Sequence, residues 1–326
     1  MNENFRFNPE KKEELSKRTE TLEQTIEQLK QEGAAEFVAA QQMVSRNFEK
    51  QFKKGQEKQK SKKQLLILEC SNINQLLGQL TVLTDKRLDS SNTEIVDVVN
   101  QTDSLPVSLD HVGGIVITGS PSDIVDKEQK PWIGETESFV QKALDKNIPV
   151  MGICFGIQLH ADLKGREVSK NEGGREMGVW KTSVYMNAEE AQHPVFKGID
   201  FQKSPDGKQV SKLIETLGSH AYRVDPTGPE KMYGYHYTEE GNGYPMLEVD
   251  GSFIGTQFHP ELSTSEGLSV LKSLVKSRAE KLKDDGKDPN SILREVESYE
   301  ERIMGNSGNV DNSAFLKNFI SIVFKE

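Results

Sequence analysis

One stretch constrains this chain more than any other: Asn147-Ile148-Pro149-Val150-Met151-Gly152-Ile153-Cys154-Phe155-Gly156-Ile157-Gln158-Leu159-His160. An apolar, β-favouring run enters Gly152, and the residues after Gly156 suit a helix. A strand that breaks into a helix through Gly-x-Cys-x-Gly holds the cysteine in a sharp, strained turn. Glycine is needed on both sides because a Cβ there would crowd the strand against the helix. A thiol at a helix N-terminus also meets the positive end of the helix dipole, which favours the nucleophilic thiolate.

The stretch has a companion. Gly255-Thr256-Gln257-Phe258-His259-Pro260-Glu261 is a second β-like run, and it ends in a base and a carboxylate. A spacing of two puts His259 and Glu261 on one side of an extended segment, stiffened by Pro260. Cys154 as nucleophile, His259 as base and Glu261 as the acid that orients the imidazole make a cysteine triad. Gly-Ile-Cys-Phe-Gly-Ile-Gln followed by Gln-Phe-His-Pro-Glu resembles the class I (triad) glutamine amidotransferases, over about residues 64–261.

The resemblance implies an α/β fold with a mostly parallel central sheet between helices, in flavodoxin-like layers. It also implies a glutamine pocket. A turn after the third strand, Thr118-Gly119-Ser120-Pro121-Ser122, gives one oxyanion donor in that family, and the residue after the cysteine gives the other. Carried over, these are the amides of Ser120 and Phe155, with Gly119 of the same turn at a substrate-binding position. Ser120 stands where the family often has a second glycine. Gln158 after the elbow, and Ser219 and His220 in Leu217-Gly218-Ser219-His220-Ala221, correspond to substrate-binding positions, as does Gly173–Val179. The substrate implied is L-glutamine or another γ-glutamyl amide, and no cofactor is called for. The family passes ammonia to a synthetase domain or subunit. No G-x-x-x-x-G-K-[ST] loop occurs here, so that side is expected in a partner protein. Two other readings stay open: a γ-glutamyl hydrolase or peptidase on the same triad, and a non-catalytic regulatory protein on the same fold.

Strand alternating with helix supports this fold independently. Gln64–Cys70, Ile95–Val99, Gly114–Thr118 and Pro149–Ile153 read as buried strands, with helices at Leu76–Leu83 and Trp132–Leu144. Thr118 and Cys154 then fall at carboxyl ends of strands, where such sheets place their sites. Cys70 reads as a core residue. After Glu261, helices are expected around Leu268–Val275, at 289–299 after Asp288-Pro289, and near the C-terminus with Phe315, Phe319, Ile320 and Val323. Gly305–Asn312 reads as a loop, with Asp311 or Asn312 capping the last helix. The stretch 265–305 reads as a helical insertion, a surface hairpin outside the active site.

Residues 1–63 form a separate helical extension before the domain at 64–326. Leu15, Leu22, Ile26 and Leu29 make one thin stripe. Phe37, Val44, Phe48 and Phe52 make a second, with Gly33 as the break between two helices. Such a hairpin either packs on the catalytic domain or serves as a docking arm for the partner. This extension holds 14 Lys/Arg against 11 Glu, and the remainder 27 against 40 acidic residues. An acidic body is a poor nucleic-acid binder. Lys53–Lys63 has too few aromatics to stack bases and reads as a solvated linker.

Mean hydropathy is −0.62, so part of the chain is expected outside the core. No apolar run approaches a membrane span. Two cysteines and no signal-peptide core suggest a reducing, cytoplasmic setting. His111, His160, His193 and His236 are scattered, and no metal site is expected.

Overall fold

A computed structural model describes residues 9–325 except 57, 72, 74, 101–104, 172, 227–231, 238–242 and 305–311. The side chains of 9–29, 232, 237 and 243 also lie outside the description, so the stripe Leu15, Leu22, Ile26 and Leu29 does too, as does the loop 305–311. The helices are α1 (Pro9–Phe52), α2 (Leu76–Thr84), α3 (Pro131–Asp145), α4 (Phe155–Leu163), α5 (Ser265–Ser277), α6 (Ala279–Asp284), α7 (Pro289–Met304) and α8 (Ser313–Phe324). The strands are β1 (Gln64–Glu69), β2 (Thr93–Asp97), β3 (Val112–Ile117), β4 (Val150–Ile153), β5 (Val168–Lys170) and β6 (Glu176–Asn187). They continue as β7 (Gln202–Lys203), β8 (Gln209–His220), β9 (Tyr222–Val224), β10 (Met232–Tyr237), β11 (Gly243–Asp250) and β12 (Phe253–Thr256).

Ten strands form one sheet in the order β2-β1-β3-β4-β12-β11-β10-β6-β8-β7. The first five pair in parallel, with Ile117 opposite Gly152 and Gly255 opposite Gly152 on its other side. From β12 outward the pairing is antiparallel. The parallel half is the doubly wound core read from the sequence, and its carboxyl edge carries the site. Period-two alternation assigns the two faces. Leu65 and Ile67 of β1 pack with α8 through Phe315, Phe319 and Ile320. Leu66 and Leu68 pack with α3 and α4 through Trp132, Ile133, Val140 and Phe155. Cys70 is fully buried, as a core residue.

The N-terminal extension departs from expectation: α1 is continuous through Gly33. A Cβ on Gly33 would lie 2.3 Å from Ser277 N and 2.6 Å from the Lys276 Cβ. The glycine therefore marks where two helices cross at closest approach, not where one ends. Ala40 and Val44 join Leu76, Leu80, Leu271, Val275 and Val296 in a third apolar cluster. Gln51 Nε2 lies 2.8, 2.9 and 3.0 Å from the carbonyls of Val82, Asp85 and Leu88, tying α1 to the last turn of α2 and the loop after it. Asn312 does not cap α8: its Nδ2 donates to Glu215 O (2.6 Å) and the Tyr299 hydroxyl (2.9 Å). Among the described residues no helix is long and apolar enough to cross a membrane.

Candidate active site

The elbow forms as its residues require. Cys154 has φ 51° and ψ −94°, in a region that costs a non-glycine residue about 1–3 kcal/mol. Its amide donates to Thr256 O at 2.6 Å, pinning the turn to β12. A Cβ on Gly152 would lie 2.5 Å from the Gly156 carbonyl carbon, so strand and helix touch through bare backbone. Phe155 opens α4, where amides lack intrahelical acceptors.

His259 arrives from β12, its amide donating to Leu217 O at 2.8 Å. Its Nδ1 lies 2.6 Å from Glu261 Oε1, and both side chains are buried. The segment between them is not extended. Pro260–Ser263 is a 3-10 turn in which Leu262 N donates to His259 O at 3.2 Å. Pro260 starts that turn because its fixed φ and missing N–H suit a first helical position. Burial opposes a charged imidazole, but the Glu261 carboxylate, then the Cys154 sulfur beside the ring, outweigh it. They push the His259 pKa up to about 10. The charged imidazolium is thus favoured, with Glu261 bound at Nδ1 and the Cys154 sulfur nearby.

Gly119 closes the third side. A Cβ there would lie 2.7 Å from His259 Cε1 and 3.6 Å from Cys154 Cβ. Thr118 fixes this turn, accepting from Cys70 N (2.9 Å) and donating to Gly119 O (3.1 Å). Ser120 and Ser219 line a narrow cavity of about 60 Å³ with His259, Ser71, Arg175 and Arg278.

Not every expected residue faces that cavity. Gln158 is buried with its Nε2 on Tyr222 O (2.9 Å) and Gln257 Oε1 (3.4 Å). His220 Nε2 lies 2.9 Å from Glu176, and Glu176 also accepts from the Tyr244 hydroxyl. Burial holds the His220 pKa below its ordinary value despite Glu176. The stretch 265–305 corrects its reading as a mere surface hairpin, since Val270, Leu274 and Arg278 line the cavity. Helix α5 runs past the site because its apolar stripe packs on α1 and α2, which carries its last turn to the mouth.

Several contributors escaped the sequence reading. Gln257 Nε2 donates to Cys154 Sγ at 3.6 Å. Glu69 accepts from the Ser71 amide (2.9 Å) and hydroxyl and from Gly78 N, and so shapes the cavity wall before α2. Burial raises the Glu69 pKa to about 7, against those hydrogen bonds. Gln257 lies inside the quoted motif and could have been weighed there; Glu69 gave no signal beyond ending a strand. One further cluster, His160, Glu248 and Asp250, has ligand atoms within 4.8 Å of one another. Arg166 already binds Glu248 at 2.8 Å, and Lys164 binds Asp250 at 2.8 Å, so resident cations neutralise it.

Comparison with known proteins bears on the family and the fold. The chain is 30% identical over 208 residues to a glutamine-hydrolyzing GMP synthase of Shewanella amazonensis, covering 61% of this chain and 36% of that one. It is 27% identical over 205 residues to the same enzyme of Thermosipho melanesiensis, covering 61% and 35%. The chain therefore spans about a third of the length of these relatives. In fold it resembles a glutamine amidotransferase of Thermotoga maritima, with TM-score 0.60, 17% identity and coverage of 82% and 100%. A second such structure, from Methylobacillus flagellatus, gives TM-score 0.54 and 16% identity, covering 80% and 95%. The family model for glutamine amidotransferase class-I matches residues 76–276, more than half the chain, and with the elbow and its histidine inside that span the protein belongs to the class-I glutamine amidotransferase family.

Proposed function

We propose that this chain hydrolyses the side-chain amide of L-glutamine through a thioester on Cys154 and supplies ammonia to a separate partner. The observation that carries the reading is the His259 imidazole, held between Glu261 and the sulfur of a cysteine in a strained turn. His259 takes the Cys154 proton as the sulfur attacks the amide carbon, forming the C–S bond and moving the carbonyl electrons onto oxygen. The amides of Ser120 and Phe155 receive that oxyanion; losing one such donor costs about a hundredfold or more. As the intermediate collapses the C–N bond breaks, and His259 gives its proton to the leaving ammonia. Water then attacks the thioester with His259 taking a proton, the C–S bond breaks, glutamate leaves, and the proton on His259 returns to the sulfur. Glu261 keeps Nδ1 protonated throughout, so that Nε2 does the transfer. Gly119 sets the distance between ring and sulfur. Gln158, Ser219 and His220 bind or brace the amino-acid end, Gln158 and His220 from behind the cavity wall.

The glutamine hydrolysis carried out by the GMP synthase relatives supports glutamine as nitrogen donor. A partner that consumes ammonia fits the same comparison, and helix α1 offers one surface for it. Both cysteines are free, in keeping with a reducing, cytoplasmic setting. The second reading, a γ-glutamyl hydrolase acting on a substituted amide, draws support from Arg175 and Arg278 at the cavity. A scaffold without turnover would have no use for a strained cysteine beside a charged, buried imidazole.

The test is to measure ammonia release from L-glutamine against amine release from other γ-glutamyl amides, with a glutamine-like electrophile as label. Turnover of glutamine with Cys154 alone labelled supports the reading. An unlabelled Cys154 and no turnover of any γ-glutamyl amide would end it.

A further inference from the structure

Two guanidinium groups share the cavity with His259, and among the described residues no carboxylate forms an ion pair with either. Arg175 comes from the turn before β6, and Arg278 ends α5. Arg175 Nη1 donates to Ser219 O at 3.2 Å. The acid beside it, Asp285, is spent on the Arg175 backbone amide at 3.2 Å, and Lys287 Nζ takes the Arg175 carbonyl. Glu176, next in sequence, is turned to His220 and Tyr244. Asp123 is the carboxylate whose charge reaches Arg175, but it forms no ion pair with it. Among the described residues the Arg278 guanidinium has neither a hydrogen-bond acceptor nor an ion-pair partner. Burial, then the charge of Arg175, lowers its pKa to about 10, which still leaves it a cation at neutral pH. Two half-buried like charges facing one cavity are unfavourable alone, and a bound anion relieves them through charge-assisted hydrogen bonds. The remaining walls fit a short chain with a polar end, pairing the Ser71 and Ser120 hydroxyls with aliphatic Leu77 and Leu274.

We propose that Arg175 and Arg278 form a subsite for a carboxylate of the γ-glutamyl substrate, making Arg278 a specificity residue contributed from outside the triad. This rests on the Cys154 chemistry proposed above and names which end of the substrate the cavity grips. That carboxylate is either the α-carboxylate of the glutamyl unit or one carried by the leaving amine beyond His259.

The experiment uses the full chain, as wild type, Arg278→Gln and Arg278→Lys. The substrates are L-glutamine, γ-glutamylglycine and γ-glutamylmethylamide. For Arg278→Gln, KM rises about tenfold or more while kcat stays within about threefold, and Arg278→Lys recovers part of the loss. A rise on all three substrates assigns the α-carboxylate, and a rise confined to γ-glutamylglycine assigns the leaving side. An unchanged KM on all three overturns the subsite. A second readout needs no turnover: Cys154 alkylation by iodoacetate, which carries a carboxylate, against neutral iodoacetamide. Arg278→Gln lowers the iodoacetate rate about tenfold relative to iodoacetamide. An unchanged ratio overturns the subsite. A changed ratio in a protein that hydrolyses none of the three amides supports the subsite and counts against the proposed function alone. Arg278→Met, which keeps the apolar stem, replaces Arg278→Gln should the latter fail to fold.

Discussion

Gly119→Ala is the sharpest probe of the triad, because it adds one methyl group and no charge. That carbon would lie 2.7 Å from His259 Cε1. Ordinary contact begins near 3.4 Å, so ring and loop must part by about 0.7 Å. The ring has little room to give, since Nδ1 is fixed 2.6 Å from Glu261 and the side chain is buried. Overpacking of this kind costs about 1–3 kcal/mol of stability. Displacing a proton-transfer group by nearly 1 Å costs about a hundredfold in rate, close to 2.7 kcal/mol of barrier. The expected result is a kcat/KM for glutamine down about a hundredfold, mostly in kcat, with slower iodoacetamide labelling of Cys154. Steady-state kinetics and a thermal melt on the same preparation measure both effects. Activity within threefold of wild type, in a protein of unchanged melting temperature, would refute the claim that Gly119 sets the geometry of the ring.

Other expectations follow from the same contacts. Cys154→Ala removes glutamine hydrolysis by at least about 10⁴-fold while leaving the melt close to wild type, and residual turnover above that level would exclude Cys154 as nucleophile. Glu261→Gln lowers kcat/KM by about 10²- to 10⁴-fold, because the ring loses its orienting carboxylate and burial then opposes the imidazolium with only the Cys154 sulfur to support it. The folded pKa of His259, about 10, lies above its ordinary 6.5. Its contribution to stability is therefore complete below pH 6.5 and lost as pH climbs through about 10. Urea titrations from pH 6 to 10.5 should show that decline in wild type and a flatter one in Glu261→Gln. Gly33→Ala would favour an isolated helix by about 1 kcal/mol. Here the new Cβ meets the α5 backbone at 2.3 Å, so the melting temperature falls by several degrees instead, and a rise would mean the crossing is slack.

Much of the site was legible because its chemistry is carried by short, ordered motifs. The elbow from Pro149 to Gln158 and the run from Gly255 to Glu261 put nucleophile, base and acid in sequence-local settings. The parallel strands were equally plain, since Leu65–Leu68 and Ile115–Ile117 are buried on both faces and read as continuous apolar runs. What escaped depends on contacts between distant segments. Gly33 looks like a helix break until the neighbouring helix is known. Arg278 looks like a solvated charge until α5 is seen to run along α1 and deliver it to the cavity. His220 reads as a pocket residue by position, yet pairing β6 with β8 sets it opposite Glu176, and the ring turns to that carboxylate. Local pattern carries the period of each element, and tertiary packing decides what its last turn touches.

The crossing at Gly33 has a mechanical consequence. With only hydrogen between two backbones, α1 acts as a brace without play against the end of α5, whose residues wall the catalytic cavity. That wall cannot swing outward without the brace sliding. Leu274 and Arg278, which line that chamber, thus stand on a helix end backed by the crossing. A residue larger than glycine at the crossing would therefore be felt at the cavity wall as well as in the helix it sits on.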